Sequence, residues 1–134
     1  MLIEHMSLTR VASAILAAAG APANHAEAVA QHLVEANLKG HDSHGVGMIP
    51  SYVKGMLDQQ VDPHRHAEII KDSNAIVSID AGTGLGRVVG IEAMDIGIDR
   101  AQKYGVSCVA LGNAAHLGRI GAFAEHCADH GLVS

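Results

Sequence analysis

Two histidine-bearing loops carry the side chains best suited to chemistry. The first is GHDSHGVGMIPSYV, Gly40 to Val53, which sets His41, Asp42, Ser43 and His44 among three glycines before an amphipathic segment opens near Pro50. Histidine has an unperturbed pKa of ~6.5, so it is the default side chain for moving a proton near neutrality. The second is GNAAHLGRIG, Gly112 to Gly121, where His116 lies between an apolar stretch and a helix start. Backbone N–H groups of Gly118, Arg119 and Ile120 at a helix N-terminus could receive a phosphate or carboxylate, with the Arg119 guanidinium adding charge. Each loop also has a plain reading: a polar connection with solvated histidines, or with a surface arginine.

Two other patterns carry less. His126 and His130 stand at i, i+4 beside Asp129, a spacing that can grip zinc, but no glutamate or third ligand follows from the spacing. A solvated helix end is the better reading, and no metal is expected. The cluster AGTGLG, Ala81 to Gly86, lacks the last glycine of a G-x-G-x-x-G fingerprint, since positions 87 and 89 are Arg87 and Val89. The strand before it reads as a hairpin strand rather than the first strand of a βαβ unit, so a tight turn before a helix is expected.

The elements that position these loops follow from periodicity. Ser7 is expected to cap a first helix running to about Ala19, with Leu8, Val11, Ile15 and Leu16 on its apolar face. Asn24 and Glu27 suggest a capping box for a second helix ending near Leu38. Ile49, Tyr52, Val53, Met56 and Leu57 give a third, with Pro50 in its first turn. Asp62-Pro63 marks a boundary. Beyond it, Ala67 to Lys71 and Ala75 to Asp80 read as a hairpin. A long buried helix runs from the glycine cluster to Tyr104, and Ser107 to Leu111 is a strand. A last helix covers Arg119 to His130, with Ile120, Phe123, Ala124 and Cys127 inward, and Leu132 to Ser134 begins another strand. The expected fold is α/β (α+β): a helical unit over 1–62, then the start of a mixed-sheet, non-Rossmann domain over 63–134. The strand beginning at Leu132 suggests an N-terminal fragment of a longer protein, inactive by itself.

The 134 residues are 49% hydrophobic but only 2% aromatic, so the core must be built from Ala, Val, Ile, Leu and Met. Net charge is −5 with no Lys/Arg-rich run, which argues against nucleic acid or an anionic membrane as partner. No apolar run approaches the ~18 residues of a membrane span, and no signal-peptide pattern opens the chain. Cys108 and Cys127 have no ligand or redox spacing, which fits a reducing, cytoplasmic setting. Ten histidines are unusual for this length.

Taken together, GHDSHGVGMIPSYV, GTGLG at Gly82 to Gly86 and NAAHLGRIG at Asn113 to Gly121 resemble the malate/L-lactate dehydrogenase family, the NAD(P)-dependent group unrelated in fold to the Rossmann lactate dehydrogenases. The wording GVGMIPSYV is most similar to its hydroxycarboxylate dehydrogenase branch. The resemblance covers essentially the whole chain, in the family's order and spacing. It implies hydride transfer between NAD or NADP and a small 2-hydroxy or 2-oxo acid, in a homodimer whose active site lies between domains and near the partner subunit. By position, it implies His44 and His116 as the active-site histidines, and Ser43 and Tyr52 as residues facing substrate. It also implies contacts to the cofactor from His44, Gly118, Arg119 and Ile120. Two departures stand out. Many relatives carry an arginine where this chain has Met48, and relatives commonly read NSHH where it has Asn113-Ala114-Ala115-His116. Two other readings remain open at this point: a non-catalytic fragment of that family, and a histidine-rich metal-binding helical module using His41, Asp42, His44, His126 and His130.

Overall fold

A computed structural model of the chain describes residues 3–134. It divides into two compact units, Met1–His64 and Arg65–Ser134. The first is helical and the second is built on a three-stranded sheet, which is the mixed α/β class expected from the sequence.

In the helical unit, α1 spans His5–Ala18, α2 spans Ala23–Leu38 and α3 spans Ile49–Leu57. Glu4, not Ser7, caps α1: its carboxylate accepts from the Met6 and Ser7 amides at 2.9 and 2.7 Å. The same two hydrogen bonds hold its pKa below the ordinary value. The buried face of α1 is also narrower than expected. Ala12 and Leu16 are buried, whereas Val11 and Ile15 are 58% and 42% exposed. A helix resting mainly on one neighbour, here α2, buries a stripe one side chain wide, and the small Ala12 lets the two backbones approach. Helix α2 opens from Pro22, whose carbonyl accepts the Ala26 amide at 2.8 Å. No capping box forms; Asn24 lies inside the helix, and Glu27 accepts from Gln31 instead. Val29 and Leu33 are fully buried, and His32 is buried beside them. His25, also buried, hydrogen-bonds the Pro63 carbonyl at 2.8 Å and ties α2 to the end of the unit. In α3, Tyr52 and Met56 face inward while Leu57 stays exposed.

In the second unit, β1 (Glu68–Ser73) and β2 (Ile76–Asp80) form the antiparallel hairpin, with a bulge between Ile69 and Lys71. Strand β3 (Cys108–Gly112) then pairs with the other side of β2 in parallel, and α4 (Gly86–Tyr104) makes the crossover. This corrects the expectation for the glycine cluster. β2 is both a hairpin strand and the first strand of a βαβ unit, a double pairing that sequence periodicity cannot report. Val77, Ile79 and Ala93 form the core, with Ala67, Ile96, Val109 and Leu111 packed around it. Gly105, at φ +85°, ends α4.

Helix α5 spans Gly121–Asp129, two residues later than expected at its start. Ala122, Phe123 and Cys127 point inward, while Ile120 and Ala124 are exposed. Phe123 lies against α4 where only a glycine fits. A Cβ at Gly90 would sit 2.7 Å from the ring. Past the helix, Leu132 to Ser134 form no strand; Gly131 turns at φ +73° and the Leu132 amide returns to the Cys127 carbonyl. No helix among the described residues is long and apolar enough to cross a membrane.

The core assignment has a direct test. Ile79→Ala should cost about 2–5 kcal/mol, the usual range for truncating a large aliphatic side chain in a packed interior. Denaturant titration with amide exchange read at Val77 and Ala93 checks it, and a loss under about 1 kcal/mol would contradict the packing described.

Candidate functional site

The His44 loop begins where α2 stops. Gly40 turns at φ +76° and the His41 amide reaches back to the Ala36 carbonyl at 2.8 Å. Two single-turn 3₁₀ segments follow, Asp42–His44 and Val46–Met48, joined through Gly45 in extended conformation. The first presents Ser43 on the surface and His44 half-buried, with Ser43 Oγ 2.9 Å from His44 Nδ1. That pair links the tautomer of the imidazole to the serine hydroxyl. Met48, half-buried just before α3, brings no charge to the loop. Tyr52 is 5% exposed, and burial pushes its pKa up to about 12. At neutral pH its hydroxyl therefore keeps its proton and can act as a donor, not a base.

The His116 loop is fastened to the glycine cluster along its first half. The Ala81 amide donates to the Gly112 carbonyl at 2.9 Å and Thr83 to Asn113 at 2.8 Å, while Ala115 donates back to Gly84 at 3.1 Å. These bonds continue the β2–β3 ladder past the strand ends. Thr83 and Asn113 both adopt positive φ, +63° and +55°. Asp80 braces the two turns, accepting from the Gly82 amide at 2.9 Å and the Asn113 amide nitrogen at 3.0 Å. The Gly82 bond first, then the Asn113 bond, keeps its carboxyl below the ordinary range. Gly86 completes the cradle. A Cβ there would collide with the carbonyl oxygens of His116 and Ala115, the latter at 2.6 Å. The tight-turn role expected of the cluster is thus only part of it, since the cluster also seats the loop that carries His116, which is exposed.

After His116, Gly118 turns at φ +79° and is buried, and α5 follows. At the start of α5 the Ala122 and Phe123 amides are already bonded to the Arg119 and Ile120 carbonyls at 3.1 and 3.0 Å, while the helix dipole favours an anion ahead of them. Gly118, Arg119 and Ile120 lead directly into that start. The Arg119 guanidinium does something else. Its side chain is 8% exposed and is held by Glu125 in a two-pronged pair, 3.0 and 2.6 Å. An anion arriving at α5 would therefore meet backbone N–H groups beside an arginine whose charge is already compensated. A dinucleotide phosphate at this segment would therefore be met by backbone, not by net charge.

The structure places Ser43, His44 and Tyr52 in the helical unit, with Ser43 and His44 in contact, and places His116, Gly118, Arg119 and Ile120 together in the second unit. Other histidines have structural partners. His66 pairs with Glu92 at 2.6 Å, His126 with Asp95 at 2.6 Å, and His130 Nδ1 lies 2.8 Å from the His126 carbonyl. Among the described residues, no three His, Cys, Asp or Glu side chains converge as a metal site. Sequence reasoning passed over Asn37, Asp80, Asn113 and Glu125. The usable signals were an Asx residue in the last turn before a glycine and an aspartate directly ahead of a glycine run.

Two outcomes test this geometry. Gly86→Ala should displace the His116 loop, shifting the His116 ring resonances and lowering stability; unchanged resonances would refute the cradle. Tyr52, with its pKa raised from about 10 to about 12, contributes stability that is fully present below pH ~10 and lost as pH rises toward 12. Unfolding free energy should fall by ~2 kcal/mol over that window. Tyr52→Phe should lack this component, and identical alkaline profiles for the two proteins would contradict the burial described.

Residues 3–134 match the family model described as Malate/L-lactate dehydrogenase. Hydroxycarboxylate dehydrogenase B of Escherichia coli O157:H7 is 47% identical over 115 residues, which are 86% of this chain and 32% of that protein. L-sulfolactate dehydrogenase of Methanocaldococcus jannaschii is 37% identical over 114 residues, 85% of this chain and 33% of that one. The solved structure of malate dehydrogenase from Pyrococcus horikoshii OT3 superposes with a TM-score of 0.93 at 32% identity, covering 98% of this chain and 38% of that chain. The chain thus spans about a third of the length of the curated relatives it matches. With the match running from residue 3 to the last residue, the chain belongs to the malate/L-lactate dehydrogenase family.

Proposed function

We propose that this chain forms part of an oxidoreductase that interconverts small 2-hydroxy and 2-oxo acids with NAD or NADP. The observation that carries the reading is the family match over residues 3–134, within which both histidine loops fall. Relatives named for hydroxycarboxylate, sulfolactate and malate support a small, negatively charged 2-hydroxy acid as the substrate class. A metal-binding module is not favoured, because His126 and His130 are taken up by Asp95 and the helix backbone.

When bound, the nicotinamide supplies or accepts the hydride at substrate C2. The protein's part is to orient the acid and to move one proton at the C2 oxygen. One of His44 and His116 gives that proton during reduction and takes it back during oxidation; the other hydrogen-bonds the carbonyl or carboxylate. Ser43, 2.9 Å from His44 Nδ1, hydrogen-bonds that ring nitrogen in either tautomer, and Tyr52 presents a hydroxyl that stays protonated. Gly118, Arg119, Ile120 and His44 hold the cofactor. The assembly is a homodimer in the cytoplasm, a setting consistent with the two unbridged cysteines, Cys108 and Cys127.

Replacing His44 by Ala and His116 by Asn in the turnover-competent protein tests the assignment. The variant lacking the proton donor should lose about 10²–10⁴-fold in kcat/KM and its limb of the pH profile. Loss of reduced nicotinamide absorbance with a panel of 2-oxo acids gives the readout. If both variants keep kcat/KM within about threefold of the parent across pH, neither histidine serves as the acid–base group.

A further inference from the structure

The loop that carries Ser43 and His44 has little to hold it by itself. Each of its 3₁₀ segments is closed by isolated i→i+3 bonds: His44 to His41 at 2.9 Å, Gly45 to Asp42 at 3.1 Å and Met48 to Gly45 at 3.0 Å. Such single turns are short and poorly stabilised. One side chain on α2 bonds to both of them. Asn37 Nδ2 donates to Asp42 Oδ1 at 2.5 Å, and Asn37 Oδ1 accepts the Val46 amide at 2.8 Å. The two bonds fall on either side of Ser43 and His44. Gly45, buried between them, lies directly on the Asn37 amide, where any Cβ would overlap its terminal atoms.

We propose that Asn37 is a positioning residue for His44: its carboxamide pins both ends of the Asp42–Val46 segment to α2 and so fixes where the Ser43–His44 pair is presented. The inference rests on the reading of His44 as an active-site histidine and extends it to a residue that does not itself meet substrate. The chemistry needs an amide at this position. Asp42 requires a donor and the Val46 amide requires an acceptor, and only a carboxamide of this length offers both from one carbon. Aspartate would keep the acceptor but set two carboxylates against each other. Glycine at 45 follows from the same arrangement, because a side chain there would displace the amide.

Reversing the polarity of the pair is the test, made in the full chain. Asn37→Asp alone removes the bond to Asp42 and keeps the Val46 acceptor, so the segment opens more readily and protection of the Val46 amide should fall about tenfold, roughly the worth of the one lost hydrogen bond. It should also move the His44 ring-nitrogen resonances. Adding Asp42→Asn restores an amide facing a carboxylate with the roles exchanged, and should return both signals toward the parent. Gly45→Ala should reproduce the Asn37→Asp signature by a separate route, which covers the case in which one variant fails to fold. A purely structural asparagine would change thermal stability without moving the His44 ring signals and would not be rescued by the swap. Wild-type His44 and Val46 signals in Asn37→Asp, or no recovery in the double variant with helix content intact, would overturn the proposal. Failure of the underlying reading looks different: His44→Ala would keep full turnover while the Asn37 variants still shift the ring.

Discussion

The geometry of the second unit depends on one close approach, that of the backbone at His116 to Gly86. No side chain mediates it. Carbonyl oxygens of Ala115 and His116 occupy the space that a Cβ on residue 86 would take, in the first turn of α4. Flanking hydrogen bonds from Ala81, Thr83 and Ala115 then lock the loop to the glycine run. Because the contact is backbone to backbone, with no flexible side chain between, it places the main chain there with precision. A candidate proton-transfer group placed at the end of such a loop inherits that precision, whereas one on a free surface loop would not.

The helical unit reaches a comparable result by other means. Its loop leaves α2 through a left-handed glycine and continues in turns too short to be stable alone. Asn37, a side chain of the preceding helix, bonds both ends of the segment. In both units a glycine sits where a neighbour needs the space: Gly86 beneath a backbone, Gly45 beneath a carboxamide. Gly45 and Gly86 thus have a steric explanation, independent of any need for unusual dihedral angles at those two positions.

How much of this was legible in the sequence depends on the range of the interaction. The helices and the hairpin followed from periodicity, a local property, and their ends missed by a few residues where caps competed. Glu4 displaced Ser7 because a longer carboxylate can reach two amides at once. The parallel pairing of β2 with β3 was missed, since nothing in five residues of β2 records a partner about thirty positions away. The family resemblance singled out His44 and His116. Their supports, Asn37 and Asp80, were not singled out, because an asparagine in a final helical turn and an aspartate at a strand end look like ordinary termini until the bonds are seen. Arg119 is the sharpest case. Its sequence position suggested a cation facing an anion site, and its side chain is instead folded inward onto Glu125.

That inward pair has a consequence for how ligands reach the start of α5. With the arginine charge cancelled, the region offers oriented N–H dipoles and little monopole field. Dipolar attraction decays faster with distance than that of an isolated charge, and over a Debye length of ~10 Å added salt would have little of it to screen. An oxyanion arriving there would therefore be discriminated at contact, by its shape, with little attraction from afar. In a chain of net charge −5, drawing it in falls to whatever other cations the anion meets on its way.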